Sequence, residues 1–389
     1  MCLLLSVNLP KKIAYITVSD PKDKHAWSGT NHYIWKTLEK HFGKVDLLGP
    51  DEPVFITFLC KIVHGFSLYL FKKRFDYRNS TLYAKACGRL FSKKLKRSSY
   101  DLIVSPAGIA YIAYLKTDVP IVFIGDRIIA NSLNYHTIIT NLWKWSEKQS
   151  LKTESIALHK ASLNILSSHW AADYAIKHYH LNPETTIVLP FGANMDVTPS
   201  AQYVFEHRVK TDTCKLLLVG TFWKNKGVDI AINALHSLLK KNIPAHLTIV
   251  GCEPETPLHD PHITIIPFLN KNTKEGLQAL EDLFLSHSFF ILPTRFDCTP
   301  IVFCEASSFA LPILSADTGG VAGHIKQGVN GFLVDFKDTG EGYADIIETL
   351  WKDENRYETL QRSARELFDQ ELNWDSWANS LKAELNKIH

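Results

Sequence analysis

The chain has 389 residues, 46% of them hydrophobic and 21% charged, and 43 Lys and Arg against 40 Asp and Glu leave a formal net charge of +3. That length is enough for two domains with separate cores, and the composition is that of ordinary globular protein with no low-complexity stretch. No uninterrupted run reaches the ~18 apolar residues of a membrane span, and seven scattered cysteines without a Cys-x-x-Cys pattern support neither a disulfide framework nor a zinc site.

The opening segment, MCLLLSVNLPKK, has its charges after the apolar stretch, the reverse of a secretory signal. A reducing cytoplasm is therefore the default location. Strands are predicted at 12–19, 45–48, 102–105, 121–124, 163–166 and 187–189, with helices at 30–41, over much of 57–97, and at 146–161 and 169–180. Charge is uneven here: from Lys61 to Arg97 eleven basic residues face one acid, Asp76, a local net of +10. Phe66, Tyr69, Phe71, Phe75, Tyr83 and Phe91 are interleaved with them. Two readings stand for 61–97: peripheral contact with an anionic membrane face, or amphipathic helices whose lysines are merely solvated.

PFGANMDVTPS at 190–200 breaks the alternation as a linker does, which divides the chain into an N-terminal domain, 1–194, and a C-terminal domain, 195–374. The second domain repeats the plan, with strands at 215–220, 246–251, 263–267, 289–292, 311–315 and 330–334. Helices are predicted at 227–241, 273–286, 300–309, 341–351 and 355–370, and a last one over 375–389. Such alternation predicts an α/β fold of two doubly wound, Rossmann-like domains, each binding ligands at the C-terminal ends of its strands.

The most informative stretch is 293–321, PTRFDCTPIVFCEASSFALPILSADTGGV. Thr299 is a good N-cap and Pro300 a good first helical residue. The amides of Ile301 and Val302 are then unpaired donors at a helix N-terminus, where phosphate binds. Asp297 stands just before that terminus and Glu305 eight residues later. A phosphate-binding helix start flanked by two acids able to hold sugar hydroxyls is what a nucleotide-sugar site needs.

These residues resemble the signature of retaining glycosyltransferases of the GT-B fold, especially glycosyltransferase family 4. That signature is a Glu, seven residues, a Glu, an apolar strand and a Gly-Gly-Val turn; here the two acids are Asp297 and Glu305 and the turn is Gly319-Gly320-Val321. The resemblance is strongest over 12–36, 160–195 and 215–335. It implies two domains facing a cleft, with the last helix crossing back to the first domain. It also implies a UDP- or GDP-linked sugar as donor, no cofactor, and a hydroxyl acceptor: a lipid-linked or surface-glycan precursor, or a small molecule. In these terms Glu305 holds the ribose and Asp297 orients the donor sugar. Lys226, the amides of Ile301 and Val302, and Thr299 and Gly220 beside them meet the diphosphate, with Arg295 a further cation. Gly29, in Ser28-Gly29-Thr30, and the Gly319-Gly320 turn allow close backbone approach. Asp126 contacts the sugar or acceptor, while Trp27, His25 and His169 read either as cleft residues or as packing.

Four positions depart from the family pattern: Asp297 for Glu, Thr221 for Arg, Gly323 for Glu, and Gly125-Asp126-Arg127 where a His is common. Two rivals therefore stand beside a glycosyltransferase: another GT-B enzyme (an epimerase or phosphorylase), and a nucleotide-binding accessory subunit without turnover. No Asp-x-Asp occurs, so metal-independent chemistry is expected, and no nucleic-acid-binding signature is present.

Overall fold

The computed structural model describes residues 10–135 and 139–388; the opening apolar segment, through residue 9, lies outside them. The chain divides into two compact units, Met1–Leu189 with Trp377–His389, and Pro190–Ser376.

The first unit holds a parallel six-stranded sheet in the order β2-β1-β3-β4-β5-β6. Its strands are β1 (Lys12–Tyr15), β2 (Lys44–Leu47), β3 (Leu102–Pro106), β4 (Ile121–Gly125), β5 (Leu163–Leu166) and β6 (Thr186–Val188). Runs such as LIV and IVFI are buried on both faces, as a sheet covered by helices requires. The predicted strand at 12–19 is shorter than expected. It ends at Tyr15, whose hydroxyl donates to Asn31 Oδ1 at 2.7 Å, and Asn31 Nδ2 donates in turn to Ser19 O at 3.0 Å, tying the following loop to helix Thr30–His41. The basic stretch resolves into two helices, Val54–Phe71 and Thr81–Leu95. Two four-residue helices, Ile109–Ile112 and Ile129–Ser132, are too short to leave a periodic signal.

The second unit has a parallel sheet in the order β12-β11-β10-β7-β8-β9. Its strands are β7 (Cys214–Val219), β8 (Ala245–Val250), β9 (Ile263–Ile266), β10 (Phe289–Leu292), β11 (Ile313–Ala316) and β12 (Gly331–Val334). The three leucines of KLLLV are fully buried. Helix Val228–Lys240 covers the sheet with Val228, Ala231, Ala234, Leu235 and Leu238, an i, i+3, i+6, i+7, i+10 stripe. Each buried leucine contributes about 2 kcal/mol.

The division falls at Leu189/Pro190, slightly before the 194/195 boundary read from composition. The reason is local. Ala193 N–H donates to Leu372 O at 3.1 Å, Trp374 Nε1 donates to Asn194 Oδ1 at 3.1 Å, and the Phe191 ring stacks on Trp374. Those contacts bind PFGAN to the second unit. Helix Trp374–Ile388 begins in that unit, and its residues from Trp377 onward belong to the first.

Candidate functional site

In the second sheet the chain order reverses between β7 and β10, which lie side by side. Loops leaving neighbouring strands on either side of such a reversal part from one another, and ligands bind in the gap. The loop after β7 carries Gly220 and Lys226; the loop after β10 carries Arg295, Asp297 and Thr299. Two hydrogen bonds to one carbonyl hold the two loops together: Arg295 N–H and the Thr294 hydroxyl both donate to Asn225 O, at 2.8 and 3.0 Å.

The centre of this arrangement is an ion pair. Lys226 Nζ donates to Asp297 Oδ2 at 2.6 Å, and both side chains are largely buried. Glycines make it possible. A Cβ on Gly220 would lie 2.7 Å from Lys226 Cγ, so the bare residue leaves room for the lysine stem. Gly227, with φ +68°, turns the chain into helix Val228–Lys240, where a Cβ would meet Pro293 O at 1.9 Å. The third loop closes on the same acid: Gly320 N–H donates to Asp297 O at 3.0 Å, with Gly319 at φ +55°. The Gly-Gly turn, Asp297 and Lys226 thus form one cluster.

The helix after β10 begins one residue later than expected. It spans Ile301–Ser308 with Pro300 at the N-cap. Asp297 Oδ1 accepts the Thr299 amide at 3.1 Å, and this turn draws Thr299 out of the capping position. Its hydroxyl instead donates to Cys298 O. The Ile301 amide donates to Thr299 O at 3.0 Å, so of the two expected donors Val302 is the one left to the helix terminus.

Glu305, 5% exposed, lies within this helix, and Lys271 Nζ reaches its Oε1 at 3.1 Å. Lys271 was not singled out from the sequence; it lies in an irregular polar loop 34 residues away. Arg295 is turned from the cluster. Its guanidinium forks onto both oxygens of Asp229, at 2.8 and 2.6 Å, and also donates to Lys224 O. That fork holds the Asp229 carboxyl below its ordinary pKa.

His324, just past the Gly-Gly turn, also escaped the sequence reading. It is 1% exposed, and its ring lies beside the Phe191 backbone without a well-formed hydrogen bond. Burial lowers its pKa to about 4, with the charge of Asp297 and the Phe191 backbone acting in the opposite direction.

The first unit gathers the remaining predicted residues. Asp126 follows β4, and its Oδ2 accepts from Trp27 Nε1 at 2.8 Å. Trp27, Ser28 and Gly29 have φ of 52°, 54° and 87°, three consecutive left-handed residues leading into helix Thr30–His41. Two of these are not glycine, which places backbone strain beside Asp126. His25 N–H bonds to Asp23 Oδ1, and exposed His169 lies 3.4 Å from Asp173.

Residues 213–353 match the family described as Glycosyl transferases group 1. Among curated relatives, D-inositol 3-phosphate glycosyltransferase of Corynebacterium aurimucosum is 23% identical over 225 residues, covering 53% of this chain and 52% of that protein. The chain spans about half the length of the curated relatives it matches. Sucrose-phosphate synthase of Thermosynechococcus elongatus superposes with a TM-score of 0.67 at 15% identity, over 97% of this chain and 99% of that one. Anabaena HepE in complex with UDP-glucose gives 0.62 at 16% identity, over 97% and 99%. These likenesses establish the GT-B fold, and the family similarity falls on residues 213–353 of the second unit.

Proposed function

We propose that the chain is a retaining glycosyltransferase that moves a hexose from a UDP- or GDP-linked donor to a hydroxyl acceptor. The observation that supports it most is the convergence of Lys226, Asp297 and the Gly319-Gly320 turn at the β7/β10 reversal, with Glu305 behind them, all within 213–353.

In this reading the diphosphate lies over Lys226 and the Val302 amide, and Glu305 takes the ribose hydroxyls. Asp297 fixes the hexose and holds Lys226 at the leaving phosphate. As the bond from the anomeric carbon to the phosphate oxygen breaks, charge develops on the nucleoside diphosphate. A fixed cation and amide dipoles stabilise it most where water is excluded. The acceptor oxygen then forms the new glycosidic bond on the same face of the sugar, and its proton passes to the departing diphosphate oxygen. Asp126 and the strained Trp27–Gly29 loop serve the sugar or acceptor. We place this chemistry in the cytoplasm or at the inner face of a membrane, without a metal or cofactor.

A second reading, nucleotide binding without turnover, is favoured by one observation: Lys226 and Arg295 are each balanced by an acid, Asp297 and Asp229. The test is to incubate the chain with UDP- and GDP-linked hexoses and a panel of lipid-linked and soluble acceptors, following nucleoside diphosphate release and the anomeric configuration of the product. Release with a retained anomer supports transfer. Nucleotide binding with no release, restored by a second subunit, supports the alternative.

A further inference from the structure

Helix Val54–Phe71 is built inside out. The buried residues it turns toward its own unit are small or polar, Thr57, Cys60 and Ser67, with His64 and a single apolar side chain, Ile56, half-buried beside them. Cys60 Sγ meets Ser80 Oγ, His64 Nδ1 meets Phe75 O at 2.7 Å, and Ser67 Oγ donates to Lys73 O. Phe55, Phe58, Leu59, Ile62, Phe66 and Tyr69, an i, i+3, i+4, i+7, i+11, i+14 stripe, point the other way. Their exposures run from 36% at Leu59 to 70% at Phe55 and 79% at Tyr69. Water-facing helices in a folded domain show the reverse pattern, and an apolar surface this continuous marks an interaction site.

We propose that this helix docks the protein on an anionic lipid bilayer, lying in the plane of the interface with its outward stripe among the acyl chains. By length and composition the helix could cross a membrane. Its flanks argue for lying flat, because both are fastened to the same unit. Leu48 N–H donates to Tyr15 O ahead of it, and Arg74 exchanges main-chain bonds with Asn141 and Trp143 behind it.

Charge identifies the occupant. From Val54 to Arg74 the chain has Lys61, Lys72, Lys73 and Arg74 and no acid. At the same end Phe71 stacks on Trp143 and Trp143 packs against half-exposed Trp145, with exposed Lys144 between them. Aromatic rings beside lysines suit the headgroup layer, where an apolar body and a polar edge are both satisfied. A second copy of the chain seated face to face on this stripe would set the same cations against one another. The surface thus lies on helix 54–71 and its aromatic end rather than throughout 61–97: helix Thr81–Leu95 buries Tyr83, Cys87, Phe91 and Leu95.

The full chain is floated on a density gradient with vesicles of phosphatidylcholine, with and without phosphatidylglycerol. Wild type should rise with the anionic vesicles, and added salt should weaken this. A variant carrying Phe55→Gln, Phe58→Gln, Ile62→Gln and Phe66→Gln, all exposed and so leaving the fold intact, should bind at least about tenfold more weakly. A variant with Lys72→Gln, Lys73→Gln and Arg74→Gln should lose the preference for phosphatidylglycerol. Wild type that stays down with both vesicles, or a glutamine-stripe variant that floats as well as wild type, overturns the proposal. So does a wild-type dimer that the stripe variant abolishes without any vesicle binding. The proposal does not rest on the transfer reaction: a chain that floats yet transfers nothing leaves it standing.

Discussion

Lys226 Nζ stands 2.6 Å from Asp297 Oδ2, although 71 residues separate them. Sheet order brings them together, since β7 and β10 are neighbours across the chain reversal. A diphosphate at this point meets a lysine already balanced by the carboxylate of a residue whose main-chain carbonyl accepts from the third loop. Charge on the phosphate and the position of the sugar are thereby coupled through one contact.

Removing either partner should have opposite effects on binding. Asp297→Ala frees the lysine, so nucleoside diphosphate affinity should hold or rise while turnover falls about a hundredfold or more. Lys226→Ala should weaken the same nucleotide about tenfold or more. Calorimetric titration with initial rates separates the two. Parallel losses of affinity in both variants would break the assignment.

Glu305→Ala should weaken nucleotide binding about tenfold with the fold intact. Lys271→Ala strips a buried carboxylate of its partner and should cost about 1 kcal/mol of stability, a modest figure because the lysine is partly exposed. Urea unfolding beside nucleotide titration distinguishes the residue that binds from the residue that supports it.

The two glycines after β7 should also separate. Gly227→Ala forces a Cβ into Pro293 O at a left-handed position and should destabilise by about 2 kcal/mol or more. Gly220→Ala presses only on the Lys226 stem, so it should weaken diphosphate binding with little change in Tm. Equal loss of Tm in both would contradict this.

Glu154, invisible to motif reading, is a structural acid of the first unit. Its carboxyl accepts from the Ile129 and Ala130 amides and from the Tyr179 hydroxyl, at 2.5, 3.0 and 2.7 Å. Glu154→Ala orphans three buried donors and should cost about 3 kcal/mol in urea unfolding.

Stability should fall on acidification through His324. Its pKa is about 4 in the fold, against 6.5 ordinarily, so between those values the unfolded chain takes a proton that the folded chain refuses. The contribution is complete above about pH 6.5 and declines toward pH 4. His287, also lowered to about 4, adds to this; Glu154, raised to about 7, opposes it from pH 7 to about 4.5. His324→Leu should therefore reduce the difference in stability between pH 7 and pH 4.5 by about 2 kcal/mol. An unchanged difference would mean that the ring is protonated in the fold.

Much of the fold was legible because its signals are local. Twelve strands read as short apolar runs between turn residues, and all twelve are present, β1 shorter than expected. The acid spacing around Asp297 and Glu305 marked the site. Pairing was not legible: Lys226 with Asp297, Lys271 with Glu305 and Arg295 with Asp229 each join loops whose proximity depends on strand order. The orientation of helix Val54–Phe71 was hidden for another reason. Periodicity gives an apolar face but not the side on which the protein lies.

The most direct measurement is saturation binding of UDP and GDP to wild type, Glu305→Ala and Lys226→Ala, read by calorimetry in the same buffer. The account predicts that one nucleotide binds wild type and that both variants lose about tenfold or more in affinity while remaining folded. If neither nucleotide binds wild type, or the preferred one binds both variants as tightly, the donor site is not at the β7/β10 reversal.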